Sequence, residues 1–310
     1  MSGVLRAGFE GSGSPRWLMR TIQRQGFDTA RGFRLELRLL NEGRNRHGTL
    51  QCVAEGNADV VDGDWLVLAE ARASGLPVTA VMPYGQILGT LMLGRGIPGN
   101  DISALREHSL GVLSDCDKNW GILRAACALT ADFALEKMVR IEIYDNRTAL
   151  DAALESGAVD AALVHWHRAP ELIATGHRVL AEIPDLAGAI QAKVGPTTFF
   201  VVHEDLASKQ PERVTAFIAA ARDAIEVMRW EDGPWIALAN ELGSGLPALA
   251  PLTILRQRWN SRIADIPPWG PDCRRSLKAL RGQLLDAAVA SNPLSITDFP
   301  EGVFHAHFLP

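Results

Sequence analysis

Over its first two-thirds the chain alternates short apolar runs with helical stretches, and it does so in two successive sets. VLRAGF (4–9) reads as a strand that ends in the turn EGSGS; Pro15 then opens the helical stretch WLMRTIQRQ, which Gly26 stops. FRLELRLL (33–40) alternates as a strand does, a short helix is expected over 47–56, and ADVVDGDW (58–65) holds a third strand. LVLAEARASG is helical, and PVTAVMPYG and GTLMLGRG are two further strands. A second set starts near Asp101, with strands in SLGVL, VRIEIYDN, VDAALVHW and HRVLAEIP and helical stretches between them. From Pro211 on the chain is nearly all helical. Strands that alternate with helices imply βαβ units and a mainly parallel sheet.

Two sets imply two lobes. The segments 84–93 and 196–202 are placed to cross between them, and two crossings make a hinge. The expected division is 1–91 with 200–310 as lobe one and 92–199 as lobe two, with the helical tail packed on lobe one. In open α/β sheets, ligands sit at the carboxyl ends of strands. Two such lobes can set those ends face to face.

Composition narrows the partners. The 310 residues carry 31 basic and 36 acidic side chains, a net charge of −5, which gives no global field for nucleic acid or an anionic membrane. No apolar run approaches the roughly 20 residues that span a bilayer. Cys52, Cys116, Cys127 and Cys273 form no Cys-x-x-Cys pair, so no metal or redox motif stands out. MSGVLRAGFEGSGSPRW lacks the long apolar stretch of a secretory leader. The expected place is therefore extracytoplasmic, or periplasmic, if a leader has been removed, and cytoplasmic if Met1 is the true start.

Four segments carry a resemblance. They are the opening strand with its Gly/Ser turn; VAEGNADVVDGDWLVLAEARASG followed by PVTAVMPYGQILGTLMLGRG; LGVLSDCDKNW; and GAVDAALVHW. Together they resemble the nitrate, sulfonate, taurine and thiamine-pyrimidine-precursor family of substrate-binding proteins. Glu55-Gly56-Asn57-Ala58-Asp59 precedes the third strand, Leu110-Gly111-Val112 opens the second lobe, and Gly157–Ala161 precedes a later strand, as in that family. The resemblance implies a two-lobed type II periplasmic-binding-protein fold. It also implies delivery of a small ligand to the permease and ATPase subunits of an ABC importer.

The candidate ligand residues lie where strands end. Ser12 and Arg16 flank a glycine turn before a helix N-terminus, an end whose free N–H groups suit an anion; Ser12 or Ser14 could equally cap that helix. Asp62, Asp64 and Trp65 follow the third strand: the acids would take ligand donors and favour a cation or amine, the indole would form an apolar wall, and Asp64 could instead cap the next helix. In the second lobe Lys118, Asn119 and Trp120 follow the loop from Ser114; Lys118 could neutralise a ligand anion or pair with Asp62 or Asp64 across a closed cleft. Trp166, between His165 and His167, is a further candidate wall. No metal site, cofactor or catalytic residue is expected.

The expected function is that of an ABC importer's substrate-binding protein, holding a small polar organic molecule in the interlobe cleft: a sulfonate, a nitrate- or taurine-like anion, or a pyrimidine-type compound. Such a chain works as a monomer and does no chemistry. The alternative is a soluble enzyme on the same fold, such as a decarboxylase, a desulfinase or a cofactor-pathway enzyme.

Overall fold

The computed structural model describes residues 3–11, 13–40, 48–87, 89–113, 118–130, 134–190, 195–242, 252–287 and 299–310. The strands are β1 (Gly3–Glu10), β2 (Phe33–Leu40), β3 (Val60–Asp64), β4 (Val78–Gly85), β5 (Gly89–Leu93), β6 (Ser109–Val112), β7 (Arg140–Ile143), β8 (Ala161–His165), β9 (Arg178–Glu182) and β10 (Thr198–His203). They form two five-stranded sheets, ordered β2-β1-β3-β10-β4 and β7-β6-β8-β5-β9.

The two sheets are built alike. In the first, β1 runs parallel to β2 and β3, while β10 lies antiparallel to both β3 and β4. In the second, β6 runs parallel to β7 and β8, while β5 lies antiparallel to both β8 and β9. Each antiparallel strand is the one that has just arrived from the other sheet. The chain leaves the first sheet after β4, enters the second as β5, and returns as β10. Each lobe thus lends one strand position to a strand reached across the hinge. Both visiting strands are apolar on both faces, because each sits inside a sheet covered by helices on two sides: GTLML in β5 is buried throughout, and TFFVVH in β10 nearly so.

Pro83 lies within β4, which is tolerable because β4 is an edge strand and its pairing with β10 shifts register beside it, so the missing N–H breaks no ladder. Between the sheets, Gly89 opens β5 against the helix Lys118–Thr130. A Cβ there would stand 2.7 Å from Cγ of Asn119, so only glycine lets the crossing strand pass this close.

The helical tail covers the first sheet through Pro211–Trp230, whose inner face buries Val214, Phe217, Ala221, Ile225 and Met228. Behind it a cluster of Trp17, Trp166, Trp235 and Trp259 makes edge-on ring contacts at centroid distances of 5.5–6.1 Å. Such pairs contribute about 0.5–1.5 kcal/mol each beyond area burial. Trp166 belongs to the second sheet's side and Trp17 to the first, so this cluster also joins the lobes. The last helix, Pro271–Ala287, reaches past lobe one and packs on the helix Lys118–Thr130, burying Leu277, Leu280 and Leu284. No helix among the described residues is long and apolar enough to cross a membrane.

Candidate functional site

The carboxyl ends of the first sheet's strands and the helix N-termini of the second face each other, and charge joins them. β3 runs VVDGD, so the alternation places Asp62 and Asp64 on one face at the strand's end. Asp64 starts the next helix: its Oδ1 accepts from the backbone N–H of Leu66 at 2.8 Å. Its other oxygen takes the Nζ of Lys118, which opens the helix after β6. Both side chains of this pair are less than one-fifth exposed. One carboxylate therefore caps its own helix and holds the opposite lobe.

A second ion pair runs parallel to the first. Arg147, at the start of the helix Arg147–Ser156, donates from Nη1 to Glu10 Oε2 at 2.6 Å; Glu10 is the last residue of β1. The Nε of the same guanidinium donates to Nε2 of His165 at 2.8 Å, and His165 ends β8. To accept, the imidazole must be neutral with its proton on Nδ1. Burial and the charges of Arg147, His167 and Lys118 push His165 well below its ordinary range, which agrees.

Asp62 sits between these pairs. Burial, and then the negative charge of Glu10, raise its carboxyl to about 6 against the opposing pull of Arg147 and Lys118. It nonetheless keeps part of its surface open.

A third polar cluster braces the hinge. Glu182, the last residue of β9, accepts from Arg258 at 2.7 Å, from Arg262 at 2.9 Å, and from Oγ1 of Thr90 at 2.9 Å. Arg258 also reaches the carbonyl of Trp166, and the backbone N–H of Gln86 in the crossing segment donates to the carbonyl of Arg262. The tail thus grips both the crossing strand and the second lobe.

The sequence candidates fall into three groups. Asp62, Asp64 and Lys118 converge at the facing strand and helix ends. The aromatic candidates do not stand open in the cleft. Trp65 is fully buried and packs edge-on against Phe299, because the helix it opens turns its first apolar residue into the core. Trp120 is buried in the same core, with Arg124 of its own helix over the ring, and Trp166 is buried against Trp17. All three are buried among core side chains. Asn119 is buried against Gly89 at the start of β5, and Arg16 is half-buried on the helix Pro15–Gln25. Ser12 lies outside the described residues, as do Ser114, Asp115, Cys116 and Asp117. Ser14 does not cap its helix. With Pro15 at the first helical position it has a helical backbone, and its hydroxyl instead meets the hydroxyl of Tyr84 at 3.1 Å in a buried pair.

Sequence reasoning missed Glu10, Arg147 and Glu182. Glu10 and Glu182 are the last residues of β1 and β9, and Arg147 stands one residue after an Asn N-cap, whose Oδ1 accepts from Ala149 at 2.9 Å. Strand ends and first helical positions were the signal, and it applied to these residues as well as to Asp62 and Lys118.

A family model described as NMT1/THI5 like matches residues 23–231, more than half of the chain. The chain belongs to the NMT1/THI5-like family. Among solved structures it resembles the alkanesulfonate-binding protein SsuA from Xanthomonas axonopodis pv. citri, there bound to MOPS. The two are 15% identical, with a TM-score of 0.71, over 93% of this chain and 94% of that one. The periplasmic aliphatic sulphonate binding protein SsuA from Escherichia coli is 16% identical, with a TM-score of 0.69, over 91% of this chain and 87% of that one. An ABC transporter protein from Parabacteroides distasonis is 10% identical, with a TM-score of 0.69, over 98% of both chains. No curated protein matches the chain by sequence. The likenesses establish the two-lobed periplasmic-binding-protein fold that the resemblance implied.

Proposed function

We propose that this chain is the substrate-binding component of an ABC importer and that it holds one small polar organic molecule between its lobes. The observation that carries this reading is the way the strand ends meet. Two ion pairs, Asp64–Lys118 and Glu10–Arg147, join strand ends of one lobe to helix N-termini of the other. A hinged cleft lined with charge needs nothing more to capture a ligand, since closure is rewarded by contacts made only in the closed state. The structural relatives that bind sulfonates support the assignment to uptake.

In this reading lobe one comprises 1–91 and 200–310 and lobe two 92–199; the chain works as a monomer outside the cytoplasm and passes its ligand to permease and ATPase subunits. Arg16, Asp62, Asp64, Lys118 and Asn119, with Glu10, Arg147 and His165, are the proposed ligand-side residues. The test is small-angle scattering on chain purified without denaturation, before and after its bound molecule is removed by dialysis and identified by mass spectrometry. The loaded form should have the smaller radius of gyration. Equal radii at saturation would contradict a closing cleft.

A further inference from the structure

Two histidines beside the second sheet are buried, and they differ in one respect. His177 is 3% exposed; its Nδ1 meets Oγ1 of Thr175 at 3.1 Å and the carbonyl of Leu172 at 3.2 Å, and its Nε2 meets the carbonyl of Leu154 at 3.4 Å. That is the ordinary condition of a buried polar side chain. His167 is 4% exposed, and its buried Nδ1 has no hydrogen-bond partner among the described residues. Burial, and then the charges of Arg147 and Arg168, push this imidazole down to about 3, so it is neutral. Both guanidinium groups are engaged elsewhere: Arg147 with Glu10 and His165, Arg168 with Asp151, Glu155 and Glu171.

The orphan nitrogen lies at a contact between the lobes. His167 follows β8 of the second sheet, and its ring stands edge-on to Trp17 at 5.3 Å. Trp17 belongs to the helix Pro15–Gln25, which packs beside β1 and β2 of the first sheet. Trp166, next to His167, meets the same indole at 5.9 Å. An indole of one lobe thus helps to bury a histidine of the other. The pairs Asp64–Lys118 and Glu10–Arg147 draw the lobes together, and Arg147 also holds His165, whose ring is 5.7 Å from that of His167. A polar atom buried without a bond costs its full desolvation, and an arrangement that returns it to water removes that cost.

We propose that His167 opposes closure of the lobes: contact with Trp17 strips its Nδ1 of water and supplies no hydrogen bond in return. This rests on the reading of the cleft as one that closes. An unmade bond of this kind shifts a two-state equilibrium about 5- to 150-fold toward the state in which the group is hydrated. The two ion pairs favour the closed state and His167 the open one, so an empty cleft is kept from shutting and the ligand's own contacts complete the closure.

The test is small-angle scattering, with Tm, on chain freed of small molecules by dialysis: the wild type, His167→Leu, His167→Phe and Lys118→Met. Leu and Phe keep an apolar side chain against Trp17 and remove the orphan nitrogen; two variants are used so that one that packs badly leaves the other to decide. At least one should have a smaller radius of gyration than the wild type at an undiminished Tm, with the closed-to-open ratio raised about 5- to 150-fold. Lys118→Met, which breaks a latch, should have a larger radius. His177→Leu should only lower Tm, because the bonds of that histidine are made. If Lys118→Met opens the chain and neither His167 variant is both more compact and as stable as the wild type, His167 is an ordinary packing residue: the inference is overturned and the cleft reading stands. If the radius is the same in every protein, the lobes do not move and both fall.

Discussion

Replacing Asp62 with Asn should stabilise the ligand-free protein, and the gain should depend on pH in a defined direction. In the unfolded chain the carboxyl titrates near 3.8, and in the folded chain at about 6. Below about pH 3 it is neutral in both states and costs nothing. As pH rises through 3.8 and on to 6 the unfolded chain sheds its proton first, so stability from this group falls; above about pH 7 the penalty is complete. Moving the carboxyl from 3.8 to about 6 corresponds to about 3 kcal/mol at most, and the solvent that still reaches Asp62 lowers this to about 1–3 kcal/mol. For a chain of this length that raises Tm by about 2–4 °C at pH 7.5. Differential scanning calorimetry of both proteins from pH 3 to 8 measures it. The difference in Tm should vanish near pH 3 and reach its full value above about pH 7. A variant that is less stable than the wild type at pH 7.5 would mean that Asp62 supports the fold, and the argument for a ligand-facing carboxylate would fail.

The remaining predictions concern the latch, the crossing and the core. A double-mutant cycle on Asp64→Asn and Lys118→Met should give a coupling of about 1–2 kcal/mol, and Lys118→Met alone should enlarge the ligand-free radius of gyration in scattering; no coupling would mean the pair does not hold the lobes. Gly89→Ala should cost about 1–3 kcal/mol in chemical denaturation, because its Cβ meets both Asn119 and Ile183; a variant as stable as the wild type would refute the close approach. The Cys127 thiol is buried and pushed up to about 12, so iodoacetamide at pH 8 should label it only after unfolding; rapid labelling of the native chain would refute the packing around it.

Much of this architecture was legible because it depends on periodicity. The β-run and helix pattern of residues 4–113 places strands β1 to β6 by local rules alone. The antiparallel setting of β5 and β10 was not legible, since an apolar run such as TFFVV has no direction written in it. Asp62, Asp64 and Lys118 could be picked out because they are charges at strand or helix ends. The burial of the tryptophans was not legible: it depends on which face an indole turns to, and Trp65, Trp120 and Trp166 each turn into the core. Glu10 and Arg147 lie far apart in sequence, and nothing short of the folded lobes shows that they meet.

The most direct measurement is a crystal structure of the chain with its bound molecule, purified without denaturation. Electron density for one small molecule is expected between the ends of β1 and β3 and the helices that begin at Lys118 and Arg147, within hydrogen-bond reach of Asp62. Density elsewhere on the surface, or the same ion pairs closing a cleft that excludes the ligand, would contradict it.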